Sequence, residues 1–341
     1  MKKKHFKDID KLFNYLDLAN GQWDNWHFRG HHDAERYELV PSAWRKENKT
    51  FSQFEKLYKN TNYIEKNEFQ LRNLKAFNEA GVKCEVFDEL VMRIKYENYL
   101  LSDFYTQANK IGLKIPDHEF RMANTYPTTY WLDNNFSTDT GFCLTDLISY
   151  RNKTHFRFSK PTIFSESLAQ HHGTPTRLLD FTANPRKALL FAFLCNRNHA
   201  DCFCQNSDAR SCIYAINAKK LSFNSYESEF NAHSAPPIMI ENNFYHYANK
   251  FLHSQEGVFL RISSSEYFFL ENKRWPTIEE AYSYYEEPSI DDPFLIKITY
   301  PSSFNNAIYK KLFQCGISIS SLMPHYDFVS KEVEFRLMTL T

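Results

Sequence analysis

The sequence predicts an α+β fold, a mixed or antiparallel sheet core with a mainly helical insertion at about residues 46–150. Three observations lead there. Phe294 to Tyr300, FLIKITY, alternates in the manner of a half-buried strand. Cys212 to Ile216 and Gly257 to Ile262 are short apolar runs of strand length. The helical stretches between them are unequal, which does not fit a regular βαβ series.

Taken in order, residues 6–19 place Phe6, Ile9, Leu12, Phe13, Leu16 and Leu18 near helical spacing, and Gly21 ends that helix. Trp26 to Phe28 reads as a short buried strand that delivers Arg29 and Gly30 at its end, with His31, His32 and Asp33 in the loop beyond. Gly30 permits a turn or the close approach of another group. Residues 50–112 are helical in character, and their charges read as a solvated face. Residues 113–160 have weak periodicity and read as a loop with a short helix near Leu144 to Tyr150. A helix over Thr162 to Ala169 leads into Gln170 to Phe193, whose apolar second half (Ala188 to Phe193) is core. Phe268 and Phe269 form a short aromatic piece. Pro276 to Tyr285 and Phe304 to Phe313 read as helices, and the tail is partly helical. No repeat or low-complexity linker divides the chain, so one domain over 1–341 is expected.

Composition narrows the function classes. The 41 basic and 41 acidic residues balance, so charge does not call for nucleic acid or an anionic membrane surface. The 7 cysteines are odd in number and irregularly spaced, which argues for a reducing compartment. Cys202, Cys204 and Cys212 lack a defensible zinc spacing, and no metal is expected. The basic N-terminus has no apolar core of a signal peptide, and no apolar run approaches the ~20 residues of a membrane span. A soluble, cytoplasmic protein is expected.

The densest chemistry lies in QHHGTPTRLLDFTANP, Gln170 to Pro185. Two imidazoles, a Gly-Thr-Pro turn, a guanidinium and a carboxylate stand between two turn signals and are held against an apolar helix. Such a cluster lines a site or caps a turn, and the residues by themselves leave both open.

Two segments together resemble the FRG domain family. Phe28, Arg29 and Gly30 match its opening motif, followed by Leu39, Pro41, Ser42 and Arg45 in a Leu-x-Pro-Ser-x-x-Arg pattern. Gln170, His171, Gly173, Pro175 to Asp180, Thr182, Asn184 and Pro185 match its second signature. Gln255, Gly257 and Phe259 match a later Gln-x-Gly-x-Phe piece, and Gly316 to Pro324 the closing pattern, with Met323 where the family usually has Phe. The resemblance implies a bacterial or phage setting, for some members one of defence or toxin-like conflict. It implies no single activity.

Three chemistries stay open. The aromatic-Arg-Gly strand is similar to the first motif of arginine-type ADP-ribosyltransferases, whose Arg contacts NAD, and a guanidinium fork suits phosphate oxygens. That similarity implies NAD as substrate with an unidentified acceptor, and an ADP-ribosyltransferase-like sheet. It also implies a Ser-Thr-Ser-like strand bracing the nicotinamide side, a place that Thr176 to Thr182 can take. Taken with the central cluster, the candidate catalytic residues are Arg29, His171, Thr176, Arg177, Asp180 and Glu256, and the candidate NAD-contacting residues are Phe28, Arg29, Gly30, His172 and Thr182. A glutamate on a later strand must stabilise the oxocarbenium-like transition state. Glu256 holds that place in chain order, while Glu332 and Glu334 offer a Glu-x-Glu nearer the C-terminus. The second chemistry is phosphodiester cleavage, with His171, His172 and Asp180 meeting His31, His32 and Asp33 as acid, base or ligands. The third is a non-catalytic sensor or protein-interaction module in which Arg29, Arg177 and Asp180 form a buried ion-pair network.

Overall fold

The strand that carries Phe28, Arg29 and Gly30 lies at the centre of the sheet. The computed structural model describes residues 1–45, 49–61, 81, 83–113, 163–194, 209–221, 238–241, 250–262, 265–283 and 291–339. Among these, the strands are β1 (Lys2–His5), β2 (Trp26–His31), β3 (Leu178–Thr182), β4 (Arg210–Asn217), β5 (Ile238–Glu241), β6 (Gly257–Ile262) and β7 (Leu295–Pro301). They form one sheet in the order β1-β7-β4-β2-β3-β6-β5. β1 runs parallel to β7 and every other pairing is antiparallel, so the sheet is mixed and the fold is α+β. The helices are α1 (Ile9–Tyr15), α2 (Lys49–Thr61), α3 (Cys84–Lys110), α4 (Ile163–His171), α5 (Pro185–Leu194), α6 (Ala218–Leu221), α7 (Lys250–Gln255), α8 (Ser265–Asn272), α9 (Ile278–Ser283), α10 (Asn305–Gln314), α11 (Ile319–Leu322) and α12 (Tyr326–Thr339).

Both faces of the sheet are covered. Alternate side chains of the central strands therefore enter two different cores, as the two-residue period of a strand requires. Cys212, Tyr214 and Ile216 of β4, with Leu179 and Phe181 of β3, pack against Phe87 and Leu90 of α3, Tyr267 to Leu270 of α8, and Trp44. Ile213 and Ala215 of β4, with Phe28 of β2, pack against Leu12 of α1, Leu189 and Phe193 of α5, Tyr309 of α10 and Phe335 of α12. This explains why CIYAI reads as an unbroken apolar run.

α5 starts where the sequence says a helix can start. The Asn184 side chain accepts from the Arg186 backbone N–H at 3.0 Å, and Pro185 takes the first helical position, where its missing N–H costs nothing. The helix then crosses directly over Gly30. A Cβ placed on Gly30 would lie 1.8 Å from the Ala188 carbonyl oxygen and 2.6 Å from the Ala192 nitrogen. Glycine on the strand and alanines on the helix are what permit this contact.

Several elements differ from expectation. β3 falls in what the residues alone read as a polar cluster between turn signals, within the Thr176 to Thr182 stretch where the transferase similarity implies a strand, and β1 and β5 were not expected. His31 is the last residue of β2 and not a loop residue. Phe268 and Phe269 lie inside α8. The charges of the 46–150 region are not all a solvated face, since Glu97 of α3 is buried. The short helix expected near 144–150 lies outside the described residues, as do Cys202 and Cys204, while Cys212 is buried on β4. Glu332 and Glu334 stand on α12, a helix, and not on a strand. Among the described residues no helix is long and apolar enough to cross a membrane.

Substituting Gly30→Ala sets a methyl group against helix backbone, which cannot rotate aside. We expect a loss of ~3 kcal/mol or more, a fall of roughly 4 °C in thermal midpoint. A calorimetric midpoint equal to that of the parent would show that α5 does not rest on the strand in this way.

Candidate functional site

Arg177 immediately precedes β3 and is buried, although the strand's solvent-facing carboxylate follows only three residues later. Its Nε donates to Glu97 Oε2 of α3 at 2.8 Å and its Nη1 to Glu266 Oε1 of α8 at 2.7 Å. Trp44 Nε1 donates to the other Glu97 oxygen at 3.0 Å and Ser265 Oγ to the other Glu266 oxygen at 3.1 Å. Nearby, Arg261 of β6 pairs with Glu166 of α4 at 2.9 Å. Burial works against the Arg177 charge, yet the Glu97, Glu266 and Glu166 carboxylates together hold its pKa above the ordinary value. Burial also raises Glu97; at Glu266 burial is again the largest influence and pushes upward, but the Arg177 charge and the hydrogen bonds from Arg177 and Ser265 together outweigh it and lower the pKa. Arg177 is thus a structural cation.

Thr176 and Thr182 are also buried and spent on structure. Thr176 Oγ1 donates to the Gln170 side-chain oxygen and accepts from the Leu178 N–H at 3.2 Å. The Thr176 backbone is clamped by the first motif, because its N–H donates to Ser42 Oγ at 3.1 Å and its carbonyl accepts from the Ala43 N–H at 3.0 Å. Thr182 Oγ1 donates to the Gln255 carbonyl at 2.7 Å and accepts from the Asn184 N–H at 3.1 Å. Gly173 takes φ +91° just past the end of α4, a left-handed turn that glycine adopts without strain.

What the two motifs bring together is Arg29 and Asp180. β2 and β3 are registered at Phe28 opposite Thr182. From there the Arg29 guanidinium reaches across, and its Nη1 donates to the Asp180 carbonyl at 2.7 Å and lies 3.5 Å from the Asp180 carboxylate. Arg29 Nε donates to Tyr37 Oη at 2.8 Å. Gln170 Nε2 of α4 donates to the Asp180 carboxylate at 2.5 Å. The Arg29 side chain is 17 % exposed and that of Asp180 47 %, so the carboxylate meets solvent while its neighbours are largely enclosed.

The imidazoles divide between two surroundings. His171, at the end of α4, lies edge-on to Phe259, and burial lowers its pKa against the opposing pull of Asp180. Among the described residues its buried Nε2 has no hydrogen-bond partner. His172 is exposed near Phe104 and Phe251. His31 stacks on Tyr37 at 3.6 Å between ring centres and on His32 at 4.5 Å, and its Nδ1 accepts from the Asp33 N–H at 3.1 Å. The two loops are joined through Arg29, and their imidazoles have separate neighbours. Among the described residues no group of three or more His, Cys, Asp or Glu is arranged to hold a metal ion.

The glutamates lie elsewhere. Glu256 precedes β6 with φ +49°, a left-handed position unusual for a side chain. Its carboxylate pairs with Lys187 at 2.7 Å and takes a 3.4 Å contact from Asn184 Nδ2, both beside α5. Glu332 is buried. It accepts from the backbone N–H groups of Ile319 at 2.7 Å and Ser320 at 3.3 Å, and from the Tyr309 hydroxyl. That carboxylate caps the start of α11, which is work for a helix terminus and not for a substrate. Glu334 is exposed. Glu97 and Tyr37 escaped the sequence reading. The signal for Glu97 was its place in the stripe Leu90, Ile94, Glu97 and Leu101, where a charge must be buried with a partner.

Replacing Arg177 with Met leaves Glu97 and Glu266 buried without their cation, and we expect a cost of about 3–5 kcal/mol in urea unfolding. Adding Glu266→Gln should recover part of that loss, and simple additivity would disprove the network. A second prediction concerns acid. Burial first, then the His32, Arg29 and Arg45 charges, lower His31 from 6.5 to about 4. As pH falls below 6.5 the unfolded chain takes this proton and the folded one does not, so stability declines down to about 4. His31→Phe should keep the stacking and make the thermal midpoint fall less steeply across that window.

Residues 137–201 match the FRG domain, a stretch that contains the whole Gln170–Pro185 signature. Searches of curated proteins and of solved structures find no match to the chain. The motif that places Asp180 and the family match thus fall on the same segment, and the chain carries an FRG domain.

Proposed function

We propose that this domain binds NAD and breaks the bond between nicotinamide and ribose, passing ADP-ribose to water or to an acceptor. The observation that carries this reading is the half-exposed Asp180 carboxylate, held by Gln170 and Arg29 on a strand fixed from below. When the C1′–N bond breaks, its electron pair leaves with nicotinamide, which becomes neutral, and positive charge develops on the ribose. A fixed carboxylate beside that carbon stabilises the charge. The nucleophile then bonds to C1′ and gives up its proton. His171, whose pKa is lowered by burial and whose Nε2 is unclaimed among the described residues, suits that proton or a polar group of the ligand.

The sheet order also supports the reading. β2 with Arg29, β3 with Thr182 and β6, entered through Glu256, are neighbours in the sequence of motifs that the transferase resemblance implies. Asp180 takes the role of the transition-state carboxylate here, because Glu256 is engaged with Lys187 and Asn184. An NAD-consuming effector acting in the cytoplasm agrees with the conflict setting implied for some FRG domains.

A second reading, a non-catalytic interaction module, draws on the commitment of Arg29 Nε and Nη1 to groups inside the protein. One experiment separates the two. The full chain is incubated with NAD and free nicotinamide is measured, for the wild type and for Asp180→Asn. Release by the wild type that falls at least about 100-fold in the variant, at an unchanged thermal midpoint, supports cleavage. Absence of release, with Arg29→Ala and Asp180→Ala lowering the midpoint by similar, non-additive amounts, would leave the pair as a fastening between two motifs.

A further inference from the structure

We infer that Tyr37 and Arg45 form, with Arg29, a recognition site for a diphosphate group. The inference rests on the reading above for the identity of the nucleotide. Two guanidinium groups converge on one phenolic oxygen. Arg29 Nε donates to Tyr37 Oη at 2.8 Å and Arg45 Nη2 donates to it at 3.0 Å. Both guanidinium carbons also lie over the Tyr37 ring, at 5.6 and 5.2 Å from its centre. With its lone pairs occupied by charged donors, the Tyr37 O–H is polarised and must point away from both. Among the described residues no acceptor receives it.

Arg45 is the last residue of the Leu-x-Pro-Ser-x-x-Arg pattern and is exposed. Its Nε donates to the Val40 carbonyl at 3.2 Å, which together with the Tyr37 bond fixes the plane of the group. Among the described residues no carboxylate pairs with it, so its remaining N–H groups and its full charge face solvent in a set orientation. His31 stacks on the Tyr37 ring at 3.6 Å between ring centres, which holds the phenol in place. The rigid planar fork of Arg45 and the polarised Tyr37 hydroxyl are donors, Arg29 adds its charge beside them, and the group is complementary to phosphate oxygens.

The placement suits a nucleotide whose reacting sugar lies at Asp180. Arg29 spans the two positions, with Nε on the Tyr37 side and Nη1 on the Asp180 side, so a sugar and the phosphate attached to it can occupy adjacent places along one guanidinium. Arg36 in the same loop makes a useful contrast, because it is 91 % exposed and its guanidinium lies 4.0 Å from the Asp33 carboxylate.

Titration calorimetry of the full chain with inorganic pyrophosphate, and separately with ADP-ribose, tests the inference. Both ligands should bind the wild type. Arg45→Ala should weaken both by about tenfold or more, Tyr37→Phe by roughly three- to tenfold, and Arg36→Ala by neither. Arg45→Lys should restore only part of the affinity, because an ammonium cannot present the fork. ADP-ribose binding that is lost in Arg45→Ala, without measurable pyrophosphate binding, still supports the site and assigns it to the nucleotide. The inference is overturned if the wild type binds neither ligand, or if Arg45→Ala binds both like the wild type. The two readings can also fail separately. Arg45-dependent binding without nicotinamide release keeps the diphosphate site and removes NAD cleavage. Nicotinamide release whose KM is unchanged in Arg45→Ala keeps cleavage and removes the diphosphate site.

Discussion

The position of the candidate site depends on one buried guanidinium. Arg177 ties the start of β3 to α3 through Glu97 and to α8 through Glu266, two helices far apart in sequence. Such a group adds little net stability, since the cost of desolvating each ion offsets most of what the pairing returns. Its consequence is positional. The strand cannot slide without separating buried charges, so Asp180, three residues on, stands at a fixed height. The same argument applies along β6, where Arg261 and Glu166 tie the strand next to β3 to the helix that carries Gln170 and His171.

Seen from that constraint, the motif residues divide by what they touch. Gly30 gives up a side chain so that α5 can lie on the sheet. Ser42 and Thr176 fasten the first motif to the second through backbone and hydroxyl groups. Thr182 holds the turn that starts α5 and also the carbonyl of Gln255, joining the second motif to the third. Glu332 supports the closing pattern from a helix farther along the chain. Among the groups that reach the surface here are Asp180, His172, Tyr37, Arg45, and the edges of Arg29 and His171. A cluster that looked uniformly chemical in sequence is mostly bracing, and the bracing limits which groups can meet a ligand.

The sequence revealed the sheet where period and composition agreed. β7 alternates, and β4 and β6 are apolar runs of strand length, so all three were legible. β3 was not, because LLDFT is bounded by Pro175 and by Asn184-Pro185, and its burial comes from tertiary neighbours on both faces. β1, KKKH, is an edge strand with no apolar residue, and only its parallel pairing with β7 makes it a strand. At the site, the nearness of Arg29 and Asp180 could be anticipated from the two motifs. The role of Arg177 could not, since its partners come from a helix that reads as an insertion and from one that reads as an aromatic fragment. Tyr37 was passed over because nothing local marks a tyrosine that will receive two arginines.

The central contact is also the one best placed to change. Arg29 makes a 2.7 Å bond to the Asp180 carbonyl but stands 3.5 Å from the carboxylate, beyond a good hydrogen bond. The carbonyl holds the guanidinium in place, and the carboxylate supplies only a longer-range attraction, weakened by its exposure to water. An anion arriving beside Tyr37 would compete for the same positive charge, and the carboxylate is the weaker claimant. In the proposed reading, binding of the diphosphate would therefore lessen the hold of Arg29 on Asp180 at the moment when a sugar reaches it. The carboxylate would then face the developing positive charge with less of its own charge already compensated. A pair closed at hydrogen-bond distance could not yield in this way without leaving a buried cation unpaired. In that reading, the looseness of this one ion pair, set in a strand held by buried charges, reconciles a rigid scaffold with a carboxylate able to respond to a ligand.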